Sequence, residues 1–331
     1  MTLDRALEQD FIRVTEQAAI AAARTMGHGD RTWSDQMAVE SMRVEIDQLD
    51  VAARIVIGEG ERDKAPMLFV GEELGQRKGD PEADQSHGVD IAVDPLEGTN
   101  LCALGTNGAV AVLAAAERGG LLHAPDTYMQ KIIVGPTAKG HVQLDAPVAV
   151  NLRKIAEAFG RGVDEMVVVV LDRPRHEQLI ADIREAGARI RLIGDGDLSA
   201  GVAAAVRGTG VHAVMGIGGA PEGVITAAAM KCLGGEIQAR LHASNDEQRE
   251  RLESLGFSDL DRIYGTDDLA PGDQILVSCT GVTDGELLKG VRLFGGGVRT
   301  STLFMSRTRQ LIRFVDTIHR SEARPDAPLQ F

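Results

Sequence analysis

Hydrophobic positions along the chain recur at two spacings, and the alternation between them predicts its elements. Over residues 5–26, Leu7, Phe11, Val14, Ala18 and Ala21 or Ala22 follow helical spacing, and Gly27 suits a C-terminal cap. A second helix is predicted to begin near Ser34, with Ala38, Met42, Ile46 and Leu49 on its buried face and Asp35 in its first turn. The helix dipole favours a carboxylate there whether or not it has a task, so spacing alone leaves Asp35 open between a solvated cap and a functional acid. Residues 54–57, 67–70, 89–93, 109–116 and 131–134 read as strands, residues 75–88 as a loop, and residues 148–159 as a helix closed by Gly160-Arg161-Gly162. The second half then alternates strand and helix from residue 167 to residue 233, which predicts a largely parallel sheet. Strands near residues 236–241, 275–277, 298–305 and 311–318 follow, with a charged helix at 246–255 and a loose tail from Ser321.

Polar chemistry gathers where the apolar runs stop. The run Val89, Ile91, Val93 ends in Asp94-Pro95-Leu96-Glu97-Gly98-Thr99. Pro95 cannot continue a ladder and Gly98 permits a tight turn, so Asp94, Glu97, Thr99 and the Leu96 carbonyl can converge on one point. Hard oxygen ligands on a rigid turn suit Mg²⁺ or Mn²⁺; the plain alternative is an Asp-Pro turn with surface carboxylates. The strand ending at Ile57 likewise runs into Gly58-Glu59-Gly60-Glu61. If the two strands are neighbours, their acids face one another and repel without a cation between them.

In the second half, polar clusters follow three successive strands: Asp172-Arg173-Pro174-Arg175-His176-Glu177, Asp195-Gly196-Asp197, and the glycine-rich segment from Gly216 to Glu222. Ligands on open α/β sheets bind at such carboxyl ends, so the three loops are expected to line one pocket. The plain readings are surface charge for Arg173 and Arg175 and a helix-dipole partner for Glu222. Gly216 to Gly223 is not the dinucleotide pattern, because Pro221 stands at its third glycine, and no phosphate-loop Gly-Lys-Ser/Thr occurs.

Composition narrows the function classes. With 331 residues, 44% hydrophobic and 25% charged, the chain predicts about two domains of ordinary globular character; the expected division is 1–162 and 163–331. A formal charge of −14 disfavours nucleic acid and anionic membranes as partners. Cys102, Cys232 and Cys279 stand far apart without zinc spacing and read as core or near-core residues. Without a bilayer-length apolar run, and with a start lacking signal-peptide character, the expected location is the cytoplasm.

Asp94-Pro95-Leu96-Glu97-Gly98-Thr99 resembles the signature of the metal-dependent, lithium-sensitive sugar and inositol phosphatases. Taken with residues 55–61, Ala65-Pro66-Met67-Leu68, Ala124-Pro125-Asp126, Arg173-Pro174-Arg175-His176, Asp195-Gly196-Asp197 and Gly218-Gly219-Ala220-Pro221-Glu222-Gly223, it is similar to class II fructose-1,6-bisphosphatase from about Phe11 to His319. Segments 168–176, 215–218 and 295–300 are similar to the branch that also hydrolyses sedoheptulose 1,7-bisphosphate.

The resemblance implies an α/β fold, a layered α-β-α-β-α sandwich with two sheet regions and the site between them, assembled as a homodimer or homotetramer. It implies a sugar bisphosphate as substrate and a divalent metal, Mn²⁺ or Mg²⁺, as cofactor. Asp35 and Glu59 would hold one metal, while Asp94, Glu97 and Glu222 would serve the other. Glu97, Gly98 and Thr99 would meet the scissile phosphate. Tyr128, Arg175, His176, Glu177, Asp195, Gly196, Asp197 and Gly219 match the family's sugar-bisphosphate contacts. Thr99 would orient the attacking water, with Asp35 and Glu97 as further catalytic residues.

Two departures stand out. Arg31 and Trp33 replace a lysine and a small residue, and the segment 243–248 is shorter than in many relatives. Competing readings are an inositol- or nucleotide-phosphate phosphatase of the same superfamily, and a non-catalytic phosphosugar-binding protein. The first predicts a later Trp-Asp block, but the single tryptophan is Trp33; the second predicts a lost ligand or a lost Thr99, and all are present.

Overall fold

The computed structural model describes residues 7–60 and 67–320 and divides the chain into two units, one formed by residues 1–118 and 274–331 and the other by residues 119–273. The division therefore differs from the expected 1–162 and 163–331. Strands after residue 274 return to the first sheet, a long-range pairing that local pattern cannot reveal. Both units carry a sheet and helices, so the protein is of mixed α/β class. Glu61, Ala65 and Pro66, and the tail from Ser321, lie outside the described residues.

The first unit begins with helices α1 (Glu8–Ala23) and α2 (Arg31–Asp47). Its sheet holds β1 (Ala52–Ile57), β2 (Glu73–Leu74), β3 (Gly88–Glu97), β4 (Val110–Glu117), β11 (Ile275–Gly281), β12 (Arg292–Phe294), β13 (Gly297–Ser306) and β14 (Leu311–Arg320). The order is β12-β13-β11-β4-β3-β1-β2, with β14 also paired to β13; the pairing of β1 with β3 is parallel and the rest are antiparallel. Phe11, Val14 and Ala18 of α1 and Met42 and Ile46 of α2 bury against Val89, Ile91, Val93, Leu113 and Phe304. The period of 3.6 on the helices thus meets the period of 2 on β3.

Two local expectations change in this unit. The α2 helix starts at Arg31, capped by the Asp30 carboxylate, which accepts the Trp33 N–H at 3.0 Å. Asp35 therefore sits in the second turn, not the first; Asp30 and Ser34 are both good caps, and the earlier one is used. The expected strand at residues 67–70 is absent, and Leu68 adopts a left-handed φ of 52° in a turn. The expected loop at 75–88 contains a short helix, α3 (Pro81–His87), opened by the Asp80 carboxylate and Pro81 at the first helical position.

The second unit carries β5 (Tyr128–Val134), β6 (Val167–Leu171), β7 (Arg189–Ile193), β8 (Ala213–Gly219), β9 (Glu236–His242) and β10 (Tyr264–Gly265) in the order β10-β9-β5-β8-β6-β7. Only β7, β6 and β8 are parallel; β5 runs antiparallel to β8 and β9, so the sheet is more mixed than the alternating pattern predicts. The helices α5 (Val148–Phe159) and α6 (Glu177–Glu185) bury Leu152, Ile155 and Ile183 against Val168, Val170 and Met215. The α7 (Asp197–Ala205) and α8 (Ala220–Leu233) helices also pack on this sheet.

Candidate active site

In the first unit, the site is built on an irregularity in β3. Asp94 pairs with Val112 but Glu97 pairs with Val110, so three steps on β3 span two on β4. Residues three apart face opposite sides of a regular strand; the extra residue reverses the parity and lets both carboxylates serve one side. Pro95, which has no N–H to give the ladder, sits within this bulge. The Leu96 N–H donates to Asp94 Oδ1 at 3.2 Å, and Thr99 Oγ1 donates to the Leu96 carbonyl at 3.0 Å. Gly98 turns the chain with φ 84° into α4 (Thr99–Leu104). A side chain at Gly98 would meet strain in both φ and the Leu101 side chain at 2.9 Å.

The elements that carry Glu59 and Asp35 border β3. The parallel register sets Ile57 beside Ala92, so Gly58-Glu59 and Asp94 leave the sheet at the same end of neighbouring strands. The α2 helix packs on β3 and α4, and Arg31 Nη1 donates to Asn100 Oδ1 at 3.0 Å. Asp35 is half-buried, and this burial raises its carboxyl pKa above the ordinary value. Glu97 is buried. Cys279 on β11 is also buried, and burial first, then the charges of Glu97 and Asp94, push its thiol far up, so it stays neutral.

In the second unit, the parallel strands β6, β7 and β8 end at one edge of their sheet, and Tyr128 pairs with Gly219 at that same edge. The three polar segments therefore follow strands that end on the same side of the sheet. Arg175 lies 5.1 Å from the Tyr128 ring centre, and its Nε and Nη2 donate to the Ile217 carbonyl at 3.2 and 2.9 Å. His176 is buried, with Nδ1 2.7 Å from the Leu171 carbonyl and Nε2 accepting the Ile217 N–H at 2.7 Å. An acceptor Nε2 and a donor Nδ1 define the neutral tautomer, and burial lowers the pKa in agreement. Glu177 is exposed at the start of α6. Gly196, with φ 88°, turns Asp195 and Asp197 into α7, and the Gly196 N–H donates to Asp195 Oδ1 at 3.2 Å.

The glycines of β8 are explained by what they face. A Cβ at Gly216 would stand 2.9 Å from His176 Nε2; at Gly218, 2.0 Å from Asp197 Oδ2; at Gly219, 1.9 Å from Glu222 Oε2. Each missing side chain is the space another site residue occupies. Glu222 lies in the first turn of α8, its Oε2 buried without a hydrogen-bond partner. Desolvation raises its pKa, opposed by Lys131. A buried oxygen of this kind costs about 1–3 kcal/mol unless it is protonated or ligated, and a divalent cation satisfies it. The Glu222 carboxylate, like those of Asp94 and Glu97 in the first unit, offers hard oxygens, which suit a hard divalent cation and not a soft metal.

Sequence reasoning passes over Lys131, whose Nζ lies 2.7 Å from Asp197 Oδ2 and donates to the Gly219 carbonyl at 3.0 Å. Its signal is a lysine within the apolar run Lys131-Ile132-Ile133-Val134, at an inward position of β5.

A phosphatase family accounts for this set of acids, hydroxyl and cations. Residues 5–319 match the family model described as bacterial fructose-1,6-bisphosphatase, glpX-encoded, and the chain belongs to that family. It is 51% identical to the D-fructose 1,6-bisphosphatase class 2/sedoheptulose 1,7-bisphosphatase of Synechococcus sp. (strain JA-3-3Ab), over 99% of each chain. The protein of that name from Synechocystis sp. (strain ATCC 27184 / PCC 6803 / Kazusa) is 49% identical, over 97% of this chain and 98% of its own. That of Synechococcus elongatus (strain ATCC 33912 / PCC 7942 / FACHB-805) is 50% identical, over 96% and 97%. No helix among the described residues is long and apolar enough to cross a membrane.

Proposed function

We propose that the protein is a cytoplasmic, homo-oligomeric, metal-dependent phosphatase. It removes the 1-phosphate of D-fructose 1,6-bisphosphate and acts likewise on sedoheptulose 1,7-bisphosphate. The observation that carries this reading is the bulged Asp94-to-Thr99 turn, two acids and a fixed hydroxyl, in a chain about 50% identical over its whole length to enzymes named for both sugars.

Asp35 and Glu59 would hold one divalent cation and Asp94, Glu97 and Glu222 the other. Bound there, such cations polarise phosphoryl oxygens and lower the pKa of water. The protein groups supply the rest. Thr99 spends its hydroxyl proton on the Leu96 carbonyl, so its oxygen is left to accept a hydrogen bond from the attacking water and aim it. Asp35, placed by the same reading beside the first cation, serves as the general base for that water. Glu97, Gly98 and Thr99 receive the scissile phosphate. Tyr128, Arg175, Glu177, Asp195, Gly196, Asp197 and Gly219 contact the sugar and its second phosphate. His176 acts from behind them, since both ring nitrogens are already committed to the backbone that places Arg175.

Phosphate release from the two bisphosphates, measured with Mn²⁺, Mg²⁺ or chelator, tests the reading. Metal-dependent turnover of both sugars is expected; inositol monophosphate hydrolysed in their place would move the protein to the sister activity.

A further inference from the structure

We propose that Lys131 is a positioning residue for the sugar, holding Asp197 and the Gly219 carbonyl in their substrate-binding arrangement; this rests on the functional reading above. The Lys131 side chain is 2% exposed in the middle of β5, directly across from Gly216 of β8. Burying an ammonium is costly unless it is paired, and a fold needing only an apolar strand has no use for one. Here the ammonium makes two directed contacts, 2.7 Å to Asp197 Oδ2 and 3.0 Å to the Gly219 carbonyl. Both partners belong to segments that the family resemblance assigns to the sugar, Asp197 at the start of α7 and Gly219 at the end of β8. Lys131 thus ties the start of α7 and the end of β8 to the middle of β5.

The sequence also makes room for this pair. A Cβ at Gly218 would fall 2.0 Å from Asp197 Oδ2 and 2.9 Å from Lys131 Nζ. Gly218 has no left-handed φ to require glycine, so the requirement is steric and comes from the ion pair. The Lys131 ammonium makes its directed contacts with Asp197 and the Gly219 carbonyl, not with a carboxylate assigned to a cation, so a role in sugar placement predicts a loss of sugar affinity without a rise in the Mn²⁺ requirement.

The test compares wild type, Lys131→Gln and Gly218→Ala in three measurements: steady-state hydrolysis of fructose 1,6-bisphosphate, affinity for fructose 6-phosphate by calorimetry, and the Mn²⁺ concentration for half-activation. Losing an ordered charge-assisted contact should raise KM, and weaken fructose 6-phosphate binding in parallel, by roughly 10- to 100-fold. The kcat should change much less, and half-activation should need no more Mn²⁺ than wild type. Gly218→Ala keeps the lysine but displaces Asp197, and should reproduce the loss of sugar affinity even if Lys131→Gln folds poorly. Unchanged sugar affinity in both variants overturns the assignment, as does a loss matched by an equal rise in the Mn²⁺ requirement. A wild type that neither hydrolyses nor binds the sugar phosphates overturns the functional reading and takes this assignment with it.

Discussion

The Nε2 atom of His176 accepts the backbone N–H of Ile217 at 2.7 Å, which forces the buried imidazole to be neutral. Its Nδ1 meets the Leu171 carbonyl at 2.7 Å, so one side chain joins the ends of β6 and β8, where Arg175 is anchored on the Ile217 carbonyl. Replacing His176 by Phe removes both links and should destabilise the protein by about 1–3 kcal/mol, with a raised KM because Arg175 loses its footing. Thermal unfolding together with steady-state kinetics checks both.

The same neutrality gives a pH signature. Burial lowers the pKa of His176, His212 and His242 below 6.5. Just below pH 6.5 the unfolded chain then binds more protons than the folded one, so stability rises with pH through this window. The contribution is complete above the unfolded value and is lost as pH falls from about 6.5 toward the folded values. Denaturant unfolding at pH 7.5 and pH 5.5 should show lower stability at the acid pH, and His176→Phe should reduce the difference. An equal difference in wild type and variant would remove His176 from the account.

Gly219→Ala places a Cβ where Glu222 Oε2 now lies, 1.9 Å away. The carboxylate must move, and misdirected metal-site groups typically cost 10- to 100-fold in metal affinity or activity. The expected result is a Mn²⁺ requirement raised at least about tenfold, on the same scale, with the melting temperature in chelator close to wild type.

Cys279 is buried beside Asp94 and Glu97 and held as a neutral thiol. Since the thiolate is the reactive form, Cys279 should resist thiol reagents in the native protein, as should buried Cys102, whose thiol pKa is also raised by burial. Titration with a chromogenic disulfide should consume at most one equivalent at pH 8 before unfolding and three after it. Rapid native labelling of Cys279, located by mass spectrometry, would contradict this.

Local pattern carried far in this chain. The α5 helix spans 148–159 as its spacing predicts, because apolar periodicity acts over a few residues, whereas β3 does not stop at Val93 but runs through the acids to Glu97 by way of a bulge. What was not legible depends on distant partners. The α2 start turned on which of two equivalent caps, Asp30 or Ser34, tertiary packing selects. The insertion of β11 between β4 and β13 joins segments more than 150 residues apart, and the antiparallel run of β5 in the second sheet is set by its neighbours, not its own residues. At the site, the acids and Thr99 were readable because they cluster in sequence. The pairing of Lys131 with Asp197 was not, because two strands and two helices separate them along the chain. The commitment of both His176 nitrogens to backbone was equally hidden.

The most direct test of the central claim is phosphate release from fructose 1,6-bisphosphate in Mn²⁺ by wild type and Thr99→Ala, with fructose 6-phosphate binding measured in parallel. If Thr99 aims the attacking water, kcat should fall by about 10²- to 10⁴-fold, the range for impairing a positioned proton transfer, while sugar binding stays within a few-fold. A folded Thr99→Ala protein that turns over at the wild-type rate, or a wild type whose turnover survives chelation, would contradict the account.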